Sequence, residues 1–198
     1  MYRKRREGKS LKKTGEEPFI INNADAGIKL LDFWQWNQSD LLNNALRGKI
    51  AEFIVGKALN AVEGVRLEWD AFDLITAEGI KVEVKSAAYL QSWKQSRNSV
   101  IQFSIRPALA WEASTNTYAT EVKRNADVYV FCLLKELDRS AVNPLDLNQW
   151  KFFVLPTEQI NLEKGKQKMI GLNSLLKMNP AITDFTGLKA AVLNCNAK

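Results

Sequence analysis

Asp73, Glu83 and Lys85 are the residues whose types and spacing could do chemistry. They lie in the stretch Asp73-Leu-Ile-Thr-Ala-Glu-Gly-Ile-Lys-Val-Glu-Val-Lys85. Phe72–Thr76 and Ile80–Ser86 are rich in β-branched and aromatic residues and read as two strands. Ala77-Glu78-Gly79 has the length of a three-residue hairpin loop, with Gly79 free to adopt the left-handed bulge conformation. Closing that loop puts Thr76 opposite Ile80 and Asp73 opposite Glu83. Lys81, Glu83 and Lys85 then share one face of their strand, and Val82 and Val84 share the other. Two carboxylates placed opposite each other repel. A divalent cation between them removes that penalty and suits oxygen ligands. The same residues also fit a half-exposed hairpin of alternating charge with no site at all.

A helix must lie close to this hairpin. Ser39 or Asp40 is a candidate cap for a helix running to about Val62, ended by Gly64. Leu42, Leu46, Ile50, Phe53, Ile54 and Leu59 form its apolar stripe. Glu52 stands off the middle of that stripe, with Gly48 and Gly56 one turn away on either side and Arg47, Lys49 and Lys57 flanking it. Small residues at those positions let the helix backbone approach a sheet and leave Glu52 as the side chain projecting there. Val65–Trp69 reads as a short strand. Asp70, in the connection after it, is the rival to Asp73; the in-register argument favours Asp73.

Asp73, nine intervening residues, and then Glu83-Val84-Lys85 form an arrangement that resembles the PD-(D/E)XK nuclease superfamily. The proline that often precedes the aspartate is replaced by Phe72. Arg47-Gly48-Lys49-Ile50-Ala51-Glu52-Phe53 looks like the superfamily's first core helix, and Ala126–Leu134 and Trp150–Thr157 look like its late strands. The resemblance covers roughly residues 39–162. It implies an α/β fold with a restriction-endonuclease-like core, a central mixed β-sheet flanked by helices. It also implies Mg²⁺-dependent hydrolysis of DNA phosphodiester bonds, with Mn²⁺ as a substitute. Asp73 and Glu83 would hold the metal, the Val84 carbonyl would be a further ligand, and Glu52 would bind directly or through water. Lys85 would orient or deprotonate the attacking water and steady the developing negative charge. Two alternatives share the resemblance: a catalytically silent DNA-binding or complex-forming subunit, and a nuclease of RNA or branched DNA.

Composition narrows the chemistry. The chain has 198 residues, room for one α/β domain over residues 18–198. It contains no histidine, which excludes His-based triads and His-metal centres within this chain. Its two cysteines are too few for a disulfide framework, and a reducing, cytoplasmic setting follows as the expectation. No apolar run is long enough to span a bilayer, so no membrane partner is expected. Net charge is +6, and residues 1–13 alone hold seven Lys/Arg against one Glu. The remainder is therefore neutral, and affinity for nucleic acid falls to a local patch and to the tail. Residues 1–17 read as a disordered basic tail, either a solubilising segment or a phosphate-binding arm.

Beyond the hairpin, Ser86–Asn98 interleaves aromatic, amide and basic residues. Lys94 and Arg97, with Lys81 on the hairpin itself, are candidate phosphate contacts, and Gln91 and Gln95 candidate base-edge contacts. The competing reading is a surface loop with Tyr89 and Trp93 tucked into the core. Ser99–Arg106 alternates as a strand, and Pro107–Lys123 reads as a loop anchored by Trp111. Val128–Leu134 is a continuous apolar run of the kind covered on both faces. Trp150–Leu155 is a further strand, and Thr157 a candidate cap for a short helix after Pro156. Leu172–Met178 and Gly187–Asn194 are weak helical stretches. DNA is the expected partner, and a homodimer is left open.

Overall fold

The apolar run 128–134 organises the molecule. In the computed structural model, which describes residues 11–66, 71–112 and 117–195, all seven of its residues are buried. The elements in chain order are β1 (Pro18–Ile21), β2 (Ala24–Lys29), α1 (Leu30–Gln38), α2 (Asn44–Ala58), β3 (Leu74–Ile75), β4 (Lys81–Ala88) and β5 (Gln102–Ser104). They continue as β6 (Ala108–Glu112), β7 (Thr117–Lys123), β8 (Val128–Leu134), β9 (Trp150–Pro156), α3 (Thr157–Lys164), β10 (Met169–Gly171), α4 (Leu172–Leu176), β11 (Ala181–Thr183) and α5 (Leu188–Cys195). A five-stranded sheet has the order β11-β9-β8-β4-β3, so β8 is central. β4 and β8 are parallel and the other neighbours antiparallel, giving a mixed sheet.

Each face of this sheet has its own core. On one face Val82, Val84, Val128, Val130 and Val154 meet Ala51, Ile54 and Val55 of α2 and Leu188 and Val192 of α5. On the other, Tyr129, Phe131, Leu133, Phe153 and Leu155 pack against Phe103, Ile105, Ile160, Ile170 and Leu175. Phe103 and Phe131 meet edge to face with ring centroids 5.2 Å apart, the geometry aromatic quadrupoles prefer. Glu83 and Lys85 pair with Tyr129 and Phe131 in the parallel register and so project on this second face.

Several expectations are corrected. The cap of α2 is Asn43, whose side chain accepts from the Ala45 and Leu46 amides; Asp40 only turns the preceding chain by accepting from the Leu42 amide. The helix ends at Ala58, ahead of Gly64, and Asn60 takes the positive φ that redirects the chain. Phe53 points outward and is 57% exposed, because the face of α2 that meets the sheet is the Ala51–Val55 side. Gly56 is a close-approach position: a Cβ there would lie 2.5 Å from Val62 Cγ2 and 3.2 Å from Leu74. Gly48 has open space and no such role. The expected loop 107–123 is instead the antiparallel ribbon β6–β7, braced by Trp111 and Tyr118 with centroids 4.9 Å apart. Thr157 makes no cap; its hydroxyl is buried without a partner. The lead-in 18–38 forms the β1–β2 hairpin and α1. Of the expected strand Val65–Trp69, residues 65 and 66 are not in a strand, and the rest of it, together with Asp70, lies outside the described residues, as do residues 1–10 of the tail. The end of the tail is ordered, since Glu17 accepts from the Thr14 and Gly15 amides.

Candidate active site

The β3–β4 hairpin closes as its loop length requires. Gly79 has φ +87°, its amide donates to the Thr76 carbonyl at 3.0 Å, and the Thr76 amide donates to the Ile80 carbonyl at 3.0 Å. Leu74 pairs with Val82 and Ile75 with Lys81, so one further step sets Asp73 opposite Glu83. The Asp73 amide still donates to the Val82 carbonyl at 3.1 Å. At the next position the side chain takes over from the backbone, and Asp73 Oδ2 accepts from the Val84 amide at 2.7 Å. The carboxylate thus ends the ladder and is fixed at the open edge of β4. Amide and carbonyl of one strand residue point to the same side, so the Val84 carbonyl faces this edge too.

The electrostatics are those of a crowded acidic site. Burial and the charge of Glu83 push the Asp73 carboxyl up from 3.8 to about 7. Lys85 and the Val84 amide pull the other way, and Glu52 adds to the rise. Lys85 Nζ forms an ion pair with Glu83 Oε1, with side-chain exposures of 27% and 19%, so both groups are shielded while remaining reachable. Tyr129, the register partner of Glu83, is held protonated well above its usual range, by burial first and by the Glu83 charge second.

Glu52 approaches from α2, which covers the opposite face. The edge strand β3 is only two residues long, so a helix side chain and two strand side chains can act on the same point. Glu52 is gripped in bidentate fashion by Arg66, Nε to Oε2 at 2.5 Å and Nη2 to Oε1 at 2.9 Å. Among the described residues no group of three or more acids stands ready as a cation cage. The donor set at the edge is Asp73, Glu83 and the Val84 carbonyl, with Glu52 turned toward its arginine. Arg66 escaped sequence reasoning because it lies in irregular chain 14 residues from its partner, beyond any helical or strand period.

The segment after β4 divides by role. Gln91 is buried, and its side-chain oxygen accepts from Arg47 Nη1 at 3.2 Å. Its amide nitrogen donates to the Ala88 carbonyl and Ser99 Oγ. Gln95 accepts from the Gln91 amide and from Arg139, and donates to Tyr89, Arg97 and Ser99. Both glutamines are thus occupied in bracing the loop, Gln91 buried and Gln95 partly exposed. Arg47 is buried within the same network, where burial lowers its pKa. Lys94 and Arg97 are exposed, as is Trp93 at 55%. Lys81 lies with its ammonium 5.6 Å from the Phe72 ring centroid.

Sheet, hairpin and charge cluster together define a mixed α/β protein with paired carboxylates and a lysine gathered at an open strand edge. The chain belongs to the bacteriophage T4 endonuclease IV family, whose model matches residues 16–174. That match contains the whole candidate site as well as β1, β2 and α1. No curated protein matches the chain. No helix among the described residues is long and apolar enough to cross a membrane.

Proposed function

We propose that this member of an endonuclease family hydrolyses DNA phosphodiester bonds with a divalent cation, Mg²⁺ or in its place Mn²⁺, on a restriction-endonuclease-like core. The observation carrying this reading is Asp73 opposite Glu83, with Lys85 paired to Glu83, at the edge where the β3 ladder stops. Burial first and the Glu83 charge second raise the Asp73 carboxyl, and a hard cation with oxygen ligands would offset both. Asp73, Glu83 and the Val84 carbonyl would hold it, and Glu52 would join on leaving Arg66. When bound, the cation supplies Lewis-acid polarisation of the scissile phosphate.

The remaining chemistry falls to the chain. Lys85 has no imidazole competitor, since the chain lacks histidine. Its ammonium orients the attacking water and, in deprotonated form, accepts the water's proton; the water oxygen bonds to phosphorus as the bond to the leaving oxygen breaks. The leaving oxygen takes up a proton, so the net change is addition of one water. Lys94 and Arg97, with Lys81, supply phosphate contacts along the approach.

The test is cleavage of supercoiled, linear, single-stranded and branched DNA, and of RNA, with Mg²⁺, Mn²⁺ or EDTA. Lys85→Met keeps the aliphatic stem and removes the proton-transfer group. Its cleavage should fall by about 10²–10⁴-fold, with DNA binding within a few-fold of wild type. Equal cleavage by Lys85→Met, or full activity in EDTA, overturns the mechanism. Binding without cleavage of any substrate by the wild type would mark a silent subunit.

A further inference from the structure

Arg66 holds Glu52 by both carboxylate oxygens, Nε to Oε2 at 2.5 Å and Nη2 to Oε1 at 2.9 Å. The two groups are unequally covered, the arginine side chain being 41% exposed and the glutamate 17%. The arginine is therefore the partner that an arriving molecule meets first. Both stand beside the open edge of the sheet. Val62 and Leu74 press on Gly56 of α2, so the chain that leaves the helix and carries Arg66 passes β3, whose first residue follows Asp73. The charge of Glu52 is felt at Asp73.

Recruiting Glu52 to a cation changes the position of that guanidinium. Its two acceptors turn away, and a doubly charged ion close by repels it. An ion pair with so exposed a partner is screened by water and readily exchanged. A guanidinium that gives up a bidentate carboxylate takes an acceptor of like geometry, and its planar fork matches two oxygens of a phosphate as well as it matches Glu52. An ammonium has no such fork.

We infer that Arg66 binds the substrate phosphate at the cleavage site: it releases Glu52 to the cation and grips two phosphate oxygens in its place. The inference rests on the metal-dependent reading above. It gives Arg66 opposite effects on the two ligands, since removing it helps the cation and harms the DNA.

Two measurements on the full-length protein test this exchange. One is Mn²⁺ binding without DNA, read as loss of the free-ion signal in electron paramagnetic resonance; the other is DNA cleavage at saturating Mn²⁺. Arg66→Met should bind Mn²⁺ about tenfold more tightly than wild type, the size of a water-screened repulsion between a single and a double charge. Its kcat/KM for cleavage should fall by about 10²-fold. Arg66→Lys keeps the charge without the fork, and should restore the wild-type Mn²⁺ affinity but little of the cleavage. In a Glu52→Gln background, Arg66→Met should bring much less tightening, because the effect passes through that carboxylate. Equal tightening in both backgrounds, or Mn²⁺ affinity or cleavage unchanged in Arg66→Met, overturns the inference and leaves the metal reading in place. If Asp73→Asn binds Mn²⁺ as well as wild type, the metal reading itself falls and this inference with it.

Discussion

Replacing Asp73 by asparagine should stabilise the metal-free protein while removing its activity. The folded-state pKa of Asp73 is raised from 3.8 to about 7, by burial first and by Glu83 second. At low pH both folded and unfolded chains hold the proton. As pH rises from about 4, the unfolded chain ionises freely while the folded one still binds its proton, so stability falls. The loss is complete once pH passes the folded value near 7. At about 1.4 kcal/mol per pKa unit the full loss is about 4 kcal/mol. Asp73 is half-buried, and screening by water reduces this to about 2 kcal/mol. Asparagine cannot ionise; its carbonyl oxygen keeps the Val84 amide bond, and its NH₂ group donates toward Glu83. Urea denaturation in EDTA at pH 3.5, 5, 6, 7 and 8 measures the difference directly. The variant should match wild type near pH 3.5, already exceed it at pH 5, and exceed it by about 2 kcal/mol at pH 8, a rise in Tm of about 4–8 °C for a chain of this size. Mg²⁺ should raise the wild-type Tm and leave that of Asp73→Asn nearly unchanged. Parallel pH profiles, or a variant less stable at pH 8, would refute both the crowding of acids at the edge and the cation that relieves it.

Other outcomes follow from individual contacts. Arg124 donates to the Ile105, Gly165 and Gln167 carbonyls and to Asn161 Oδ1, so Arg124→Met should cost about 3 kcal/mol in thermal or urea unfolding by leaving these acceptors unpaired. Gln91→Ala should lower stability by about 1–3 kcal/mol through the loss of its bonds to Arg47, Ala88 and Ser99; in filter or anisotropy binding, Lys94→Ala and Arg97→Ala should instead weaken DNA affinity with stability unchanged. Deleting residues 1–13, with their seven Lys/Arg, should weaken DNA binding and flatten its log–log salt slope by up to about six; an unchanged slope would make the tail a bystander.

What was legible in the sequence is what short-range geometry dictates. A three-residue loop ending in Gly79 admits one closure, and that closure alone sets Asp73 opposite Glu83. Strand alternation then places Lys85 on the Glu83 face, and the unbroken apolar run 128–134 requires cover on both sides. The existence of α2 was legible for the same reason, and so was much of its buried side, with Ile54 and Leu59 in the core and Leu42 and Ile50 packed against it; Phe53 is the exception. Which of its apolar residues face inward depends on where the sheet lies, and Leu74 and Val62 pressing on Gly56 turn Phe53 out. The ribbon β6–β7 has no Asn-Gly or Asp-Gly turn signal, and the three-residue strands β10 and β11 exist only because β5 and β9 offer edges. Glutamines 91 and 95 carry the same side chain whether they read a base or brace a loop; Arg47 and Arg139, 44 and 48 residues from Gln91, decide it. Arg66 on Glu52 is of the same kind. Local closure and periodicity are encoded in neighbouring residues, whereas a partner across the fold is chosen by packing, and only the tertiary structure makes that choice.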